Sequence, residues 1–369
     1  TIITPPSVYS AGQQITLLMT ISNTGATNAV NVSPEMPLTR IGVATATLAN
    51  GPMPASALIP AGSGATFTFI YNAGGAGSLA FYGRAAGYDE RTSVTYYSVT
   101  DTSNSITVES PASLTSSIVI DGSTLNVGQQ VMVRMIVQNT GLADALNVQP
   151  STLFITLDST GGMIPPIGPV PVSQNIPGNT TAEFTWTFSA TARGVVTLSG
   201  NASGTDENSG LIVSSAYTRS NTVTIQDPAS IAINIWAEPA LPAIVKTGQD
   251  ITVYMAVTNT GEAAISGVTP SALTLNNPAI ASLRTGPVPV SFTSIPGGTV
   301  SYFAWIYRTT ASGTLNFQGY AHGWDKNLST EITSSTDTSN DVQIADSAYL
   351  SASVSISQLV VSTNQDITV

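Results

Sequence analysis

The 369-residue chain has no cysteine and a single histidine. Disulfide staples and thiol chemistry are therefore excluded. A Ser-His-Asp triad or a zinc site would have to be built on His322. Charge is scarce too: only 8% of residues are Asp, Glu, Lys or Arg, against roughly 25% in ordinary soluble proteins. The charges sum to −11, a sign that argues against nucleic acid and anionic membrane surfaces as partners, since both reward basic patches. No apolar run reaches the roughly 18 residues that a membrane-crossing helix needs, so no membrane insertion is expected in this segment. The opening Thr-Ile-Ile-Thr-Pro-Pro lacks the basic start and apolar centre of a signal peptide. His-Glu-x-x-His, Gly-x-Ser-x-Gly and phosphate-loop patterns are all missing, and no enzymatic function is expected.

What is present is neutral polarity and repetition. Ser, Thr, Asn and Gln replace charge at the surface, which suits an exported protein better than a cytosolic one. Gly12-Gln13-Gln14 returns as Gly128-Gln129-Gln130, as Gly248-Gln249-Asp250 and as Asn364-Gln365-Asp366, at spacings of 116, 120 and 116 residues. Asn23-Thr24-Gly25 returns as Asn139-Thr140-Gly141 and Asn259-Thr260-Gly261. Pro34, Pro150 and Pro270 follow, then Gly-Pro-x-Pro at 51–54, 168–171 and 286–289, and Ser-Asn at 103–104, 220–221 and 339–340. Landmarks that keep one order and one spacing mark internal repeats. The expected units are 1–111, with a truncated first strand, then 112–228, 229–347 and the start of a fourth at 348–369. The closing Asp366–Val369 falls on Asp250–Val253 and reads as a second strand cut halfway, either cropped from a longer array or completed by strand donation from another chain.

Within a unit the hydrophobic period is two. Ile15, Leu17, Met19 and Ile21 alternate with Thr16, Leu18 and Thr20, and the second and third units give Val131, Val133, Met135 and Val137, and Ile251, Val253, Met255 and Val257. The aromatic runs 65–71, 182–188 and 301–307 read as further core strands. Each strand after the Gly-Gln turn ends at Asn-Thr-Gly, where Gly or Asn is expected to take a positive φ. Pro177-Gly178 and Pro296-Gly297 carry the type II turn signature. The Gly-Pro-x-Pro segments read as edge or loop, since proline cannot complete a hydrogen-bond ladder. The fold class is all-β: tandem immunoglobulin-like β-sandwiches joined end to end by short links.

The run Gly128-Gln-Gln-Val, Asn139-Thr-Gly141 and Ala145-Leu-Asn-Val148 resembles the bacterial cell-adhesion-related domain (CARDB) and similar immunoglobulin-like surface repeats. The resemblance covers the first forty or so residues of each unit. It implies tandem modules of large prokaryotic surface proteins, outside the cell or on its surface, and supplies no catalytic residues.

One loop recurs with a chemical look: Gly83–Glu90, Gly200–Glu207 and Gly319–Lys326. Two glycines four apart suggest close backbone approach or a bulge, and the aspartate suits a turn that it caps itself. The sharper reading is calcium, a hard cation taking six to eight oxygens. Asp89 with Glu90, Asp206 with Glu207, and Asp325 would supply the ligands, helped by the later Ser-Asn pair; no other cofactor is expected. His322 aligns with Ala86 and Ser203, so a methyl group serves in its place. Tyr88, Tyr320 and Trp324 are the contact residues of the same loop, for sugar stacking or for packing on a neighbour. The expected partners are further repeats or other copies of the chain. The leading function is a segment of an extracellular fibre, stalk or surface layer. The alternatives are an adhesin that binds glycan or protein through these loops, and a non-catalytic accessory region of a secreted enzyme.

Overall fold

The computed structural model describes residues 1–5, 7–356 and 360–368. It groups into two compact units, one formed by Thr1–Ser123 with Gly128–Ile225, the other by Thr124–Val127 with Gln226–Val369.

The first unit holds two β-sandwiches. In the first, the alternating strand Gln14–Ser22 pairs antiparallel with the aromatic strand Gly64–Ala73, placing Leu17 opposite Phe69 and Met19 opposite Phe67. Ile2–Ile3 flanks this pair on one side and Ala46–Met53 on the other. The facing layer contains Ala85–Asp89 between Ala29–Pro34 and Thr95–Tyr97, and Ile106–Glu109 between Gly77–Gly83 and Val8–Ser10. Val8–Ser10 runs parallel to Ile106–Glu109. Period-two alternation sends Ile15, Leu17, Met19, Phe67 and Phe69 into one core with Val32, Leu79 and Phe81 of the facing layer. The second sandwich repeats the first layer as Leu114–Ile120, Gln130–Asn139, Thr181–Ala192 and Gly162–Val170.

The second unit contains the third sandwich. Ile231–Glu238, Asp250–Asn259, Val300–Thr309 and Ala281–Val288 form the first layer in that order. Val253 stands opposite Trp305 and Met255 opposite Phe303. Ile265, Val268, Leu315 and Phe317 close the core from the other side. Four antiparallel strands in this order match the A-B-E-D sheet of an immunoglobulin sandwich, so the expected fold class is the observed one.

As expected, the Gly-Pro-x-Pro segments fall at sheet edges: Gly-Pro-x ends the edge strands Ala46–Met53, Gly162–Val170 and Ala281–Val288, the second proline lies just past each, and proline there costs no ladder bond. Two sequence expectations change in detail. In the second and third sandwiches the positive φ after Ile-Pro falls one residue later than Pro-Gly suggested, on Asn179 and Gly298, the places that match Gly62 in the first. Asn-Thr-Gly needs no positive φ at all. Buried Asn139 donates to the carbonyls of Ala143 (2.8 Å) and Ile176 (3.1 Å) and accepts from the N–H groups of Ser113 and Gly141 (3.0 Å each). Its side chain thus supplies four bonds that the ending strands leave open. Asn259 makes the same set with Ala263, Ile295, Ser230 and Gly261.

The stretch after Ala345 forms no strand among the described residues. Its Gly-Gln-like turn nevertheless starts to form: the Ser362 N–H reaches Gln365 Oε1 at 3.1 Å, as Ser10 reaches Gln13 and Lys246 reaches Gln249. The turn is local, whereas the expected strand Asp366–Val369 needs neighbours; Val369 lies outside the described residues.

Candidate functional site

The recurring loop is held against the bulged strand that follows Asn-Thr-Gly in each sandwich. Ala202–Asp206 pairs with Ala145–Pro150, with a register shift between Leu146 and Gln149, and Ala321–Asp325 pairs with Ile265–Pro270 with a shift between Ser266 and Thr269. Left-handed Asn147 and Gly267 sit at these bulges. The loop glycines are there for close approach. A Cβ on Gly204 would lie 2.7 Å from the Leu146 carbonyl oxygen, and one on Gly323 would lie 2.7 Å from the Ile265 methyl.

This packing delivers the aspartate to the end of the sandwich. In the first unit Asp206 is 1% exposed. Its Oδ1 accepts from the Ser209 N–H and hydroxyl (2.7 Å each), and its Oδ2 accepts from the Ala112 N–H (2.8 Å) in the link between repeats. The Ser10 hydroxyl of the preceding repeat reaches both oxygens, at 2.9 and 3.1 Å. Around it, Gln13 donates to the Asn208 carbonyl (3.0 Å) and the Asn208 amide donates to Glu109 (2.8 Å). Burial pushes the Asp206 carboxyl up, but the bonds from Ala112, Ser209 and Ser10 outweigh it and hold the group below the usual carboxylate range.

The second unit repeats the device. Buried Asp325 accepts from the Ala229 N–H (2.7 Å) and the Asn126 amide (2.8 Å) at Oδ2, and from the N–H groups of Asn327 and Leu328 at Oδ1. Asn327 in turn donates to Asn126 Oδ1 at 2.7 Å. Asn126 stands at the sequence position of Ser10, two residues before the Gly-Gln turn.

Asp89 makes only bonds to its own repeat. It accepts from the Thr27 hydroxyl at one oxygen, and from the Arg91 and Thr92 N–H groups (2.9 and 2.8 Å) at the other. The Thr27 hydroxyl first, then Thr92 and Arg91, hold its pKa down at about 2. Glu90 accepts from the Asn28 amide at the surface, while Glu207 is exposed.

The structure therefore keeps the five candidate metal ligands in three separate places. Among the described residues no three acidic or His side chains gather as a metal-binding group. The Ser-Asn pairs are engaged as well. Asn221 accepts from the Ile120 N–H (2.8 Å) and donates to the Ile120 carbonyl (3.0 Å), as one strand residue does to the next strand. With these oxygens already supplied with N–H and O–H donors, EDTA treatment should leave the thermal melting temperature unchanged. A drop after chelation, reversed by calcium, would show a site these contacts do not reveal.

Tyr88, Tyr320 and Trp324 are 45%, 42% and 40% exposed. Trp324 lies across Gly267, where an added Cβ would stand 3.2 Å from its ring. His322, on the same strand face, bonds the Thr269 hydroxyl at 2.8 Å and lies 3.1 Å from Glu331. Reading for single motifs missed an aromatic cluster on the third sandwich, where Trp236 stacks on Tyr254 (5.3 Å) and meets Tyr302 edge-on (6.2 Å). Its signal was present as three aromatics at outward positions of paired strands, where Val119, Arg134 and Glu183 stand in the second repeat.

No protein-family model matches this sequence, and no curated protein matches it. Among solved structures, the chain is similar to the C-terminal domain of the Streptococcus agalactiae AgI/II polypeptide BspA at 10% identity and a TM-score of 0.23, covering 62% of this chain and 99% of that one. It is similar to the D00–D0 domain of intimin at 12% identity and a TM-score of 0.25, covering 63% and 100%. It is also similar to E. coli alpha-2-macroglobulin at 11% identity and a TM-score of 0.24, covering 94% of this chain and 23% of that one. Likeness at this level carries no argument about function, which rests on the chain's own geometry.

Proposed function

We propose that the chain is a structural segment of an extracellular fibre, stalk or surface layer, non-catalytic and built from immunoglobulin-like repeats. The observation that carries this reading is the joint at Asp206. A link of a few residues, bonded through Ala112 to a buried carboxylate that also holds Ser10 of the preceding repeat, leaves little freedom between neighbouring sandwiches. Buried charge-assisted bonds of this kind suit a chain whose task is to transmit distance and force. A surface with few charges suits the outside of a cell, in keeping with the CARDB-like resemblance. Antibody raised against the chain should label the outside of intact source cells, in continuous rows or a coat. Label confined to the cell interior would overturn the reading.

A second reading, an adhesin, is favoured by the exposure of Tyr88, Tyr320 and Trp324, since an open indole face is a stacking surface for a sugar ring. It predicts a glycan-array signal that Trp324→Ala removes; an array without signal would leave the structural reading alone.

A further inference from the structure

Four stretches of the chain have the Asn-x-Ser/Thr pattern that accepts N-linked sugar. They are Asn31-Val-Ser33, Asn179-Thr-Thr181, Asn201-Ala-Ser203 and Asn327-Leu-Ser329. Three of them are occupied by the fold itself. The Asn327 amide donates to Asn126 Oδ1 (2.7 Å) and to Gln226 Oε1 (3.1 Å), beside Asp325. A sugar on that nitrogen would replace one of those hydrogens and put a ring where the contact closes. Asn201 donates to the Ser215 carbonyl at 3.4 Å and precedes fully buried Ala202. Asn31 and Ser33 lie within the paired strand Ala29–Pro34 on either side of buried Val32. Ser33 stands opposite Ala86, and the proline after it restricts its backbone further.

Asn179 is different. It lies in the turn between Gln174–Ile176 and Thr181–Ala192, exposed, at φ 57°. Among the described residues its side chain has no hydrogen-bond partner. Thr181, two residues on, is exposed as well. The matching places in the other two sandwiches are Gly62 and Gly298, both left-handed, followed two residues later by Gly64 and Val300. The turn therefore needs a positive φ but neither an asparagine nor a threonine. Asparagine is the next residue after glycine to tolerate such a φ, which accounts for its backbone. It accounts neither for an amide left open to solvent nor for the hydroxyl placed two residues on. Beside the turn, Gly178 packs on the backbone of Leu142, whose side chain is 46% exposed where the other repeats have Ala26 and Glu262.

We infer that Asn179 is a glycan acceptor. Its Nδ2 attacks C1 of an oligosaccharide carried as a polyprenyl-phosphate ester. The N–C1 bond forms, the C1–O bond to phosphate breaks, the lipid phosphate leaves, and the amide gives up one proton. The cell supplies the transferase and the lipid-borne sugar; the chain supplies the amide and the Thr181 hydroxyl by which the acceptor is read. The inference rests on the surface reading, because this transfer is made on exported chains. It adds a bulky, hydrated and uncharged group to a chain with only 8% charged residues. The sugar would stand close to the first joint: the Asn179 N–H donates to the Gly141 carbonyl at 3.0 Å, and Gly141 lies against Pro111 of the link.

Tandem mass spectrometry of the chain taken from the surface of source cells should place added sugar mass on Asn179 and none on Asn327. In the same cells Thr181→Ala should abolish that mass and Thr181→Ser should retain it. Asn179→Gly, which copies the other two turns, should abolish it in a chain that still folds. A bare Asn179, sugar that survives Thr181→Ala, or sugar on Asn327 would each overturn the inference. A bare Asn179 on a chain that antibody finds outside the cell sinks the glycan alone. A chain confined to the cell interior sinks the surface role and the glycan with it.

Discussion

Asp206→Ala should cost about 3 kcal/mol of stability, read from chemical denaturation, because it leaves buried donors from Ala112, Ser209 and Ser10 without an acceptor. The loss should appear mainly at the joint: protease cleavage near residues 110–113 should quicken before either sandwich unfolds. Asp89→Ala should have a visibly smaller effect, since that carboxylate bonds only within its own repeat. Acid provides an independent check. The folded pKa of Asp206 is depressed against about 3.9 for an unfolded aspartate. Its contribution is therefore complete above about pH 4 and is lost as pH falls through the lower folded value. Wild-type stability should decline below about pH 4, and Asp206→Ala should make that decline shallower. An Asp206→Ala chain as stable and as acid-sensitive as the wild type would remove the carboxylate from the joint.

Gly141→Ala should destabilise by about 1–3 kcal/mol, while Gly25→Ala at the matching position of the first repeat should change folding stability by under about 0.5 kcal/mol. A Cβ on Gly141 would lie 2.0 Å from the Pro111 carbonyl oxygen, and one on Gly261 would lie 2.0 Å from that of Pro228. At Gly25 the nearest atom is its own Asn23 Oδ1 at 3.3 Å. The glycine of Asn-Thr-Gly thus serves the link that crosses it. Denaturant midpoints of the two single variants check this. Equal losses at Gly25 and Gly141 would instead place the requirement in the turn itself.

Much of this was legible in the residues. The alternation of Ile251, Val253, Met255 and Val257 placed a strand with one buried face, and the structure buries all four. Gly-Pro-x-Pro announced an edge, and an edge it is. The aspartate in the recurring loop stood out, and so did the glycine spacing that lets it approach. Its partners did not stand out, because they lie 196 residues away at Ser10 and 199 away at Asn126. Nothing in the local pattern distinguishes an aspartate that holds a metal from one that holds a neighbouring repeat. Asn139 and Asn259 were misread for a related reason. A turn motif suggests backbone conformation, while their four side-chain bonds depend on strands from elsewhere in the sandwich.

What the sequence determined by itself is whatever period and spacing encode: the all-β class, the core faces and the order of repeated landmarks. Such properties follow from side-chain alternation and turn chemistry, which act over a few residues. The tertiary structure decided which repeated residues are joints and which glycine makes room for a link. Those outcomes depend on which donor reaches a buried carboxylate across about a hundred residues or more, a distance that only packing closes.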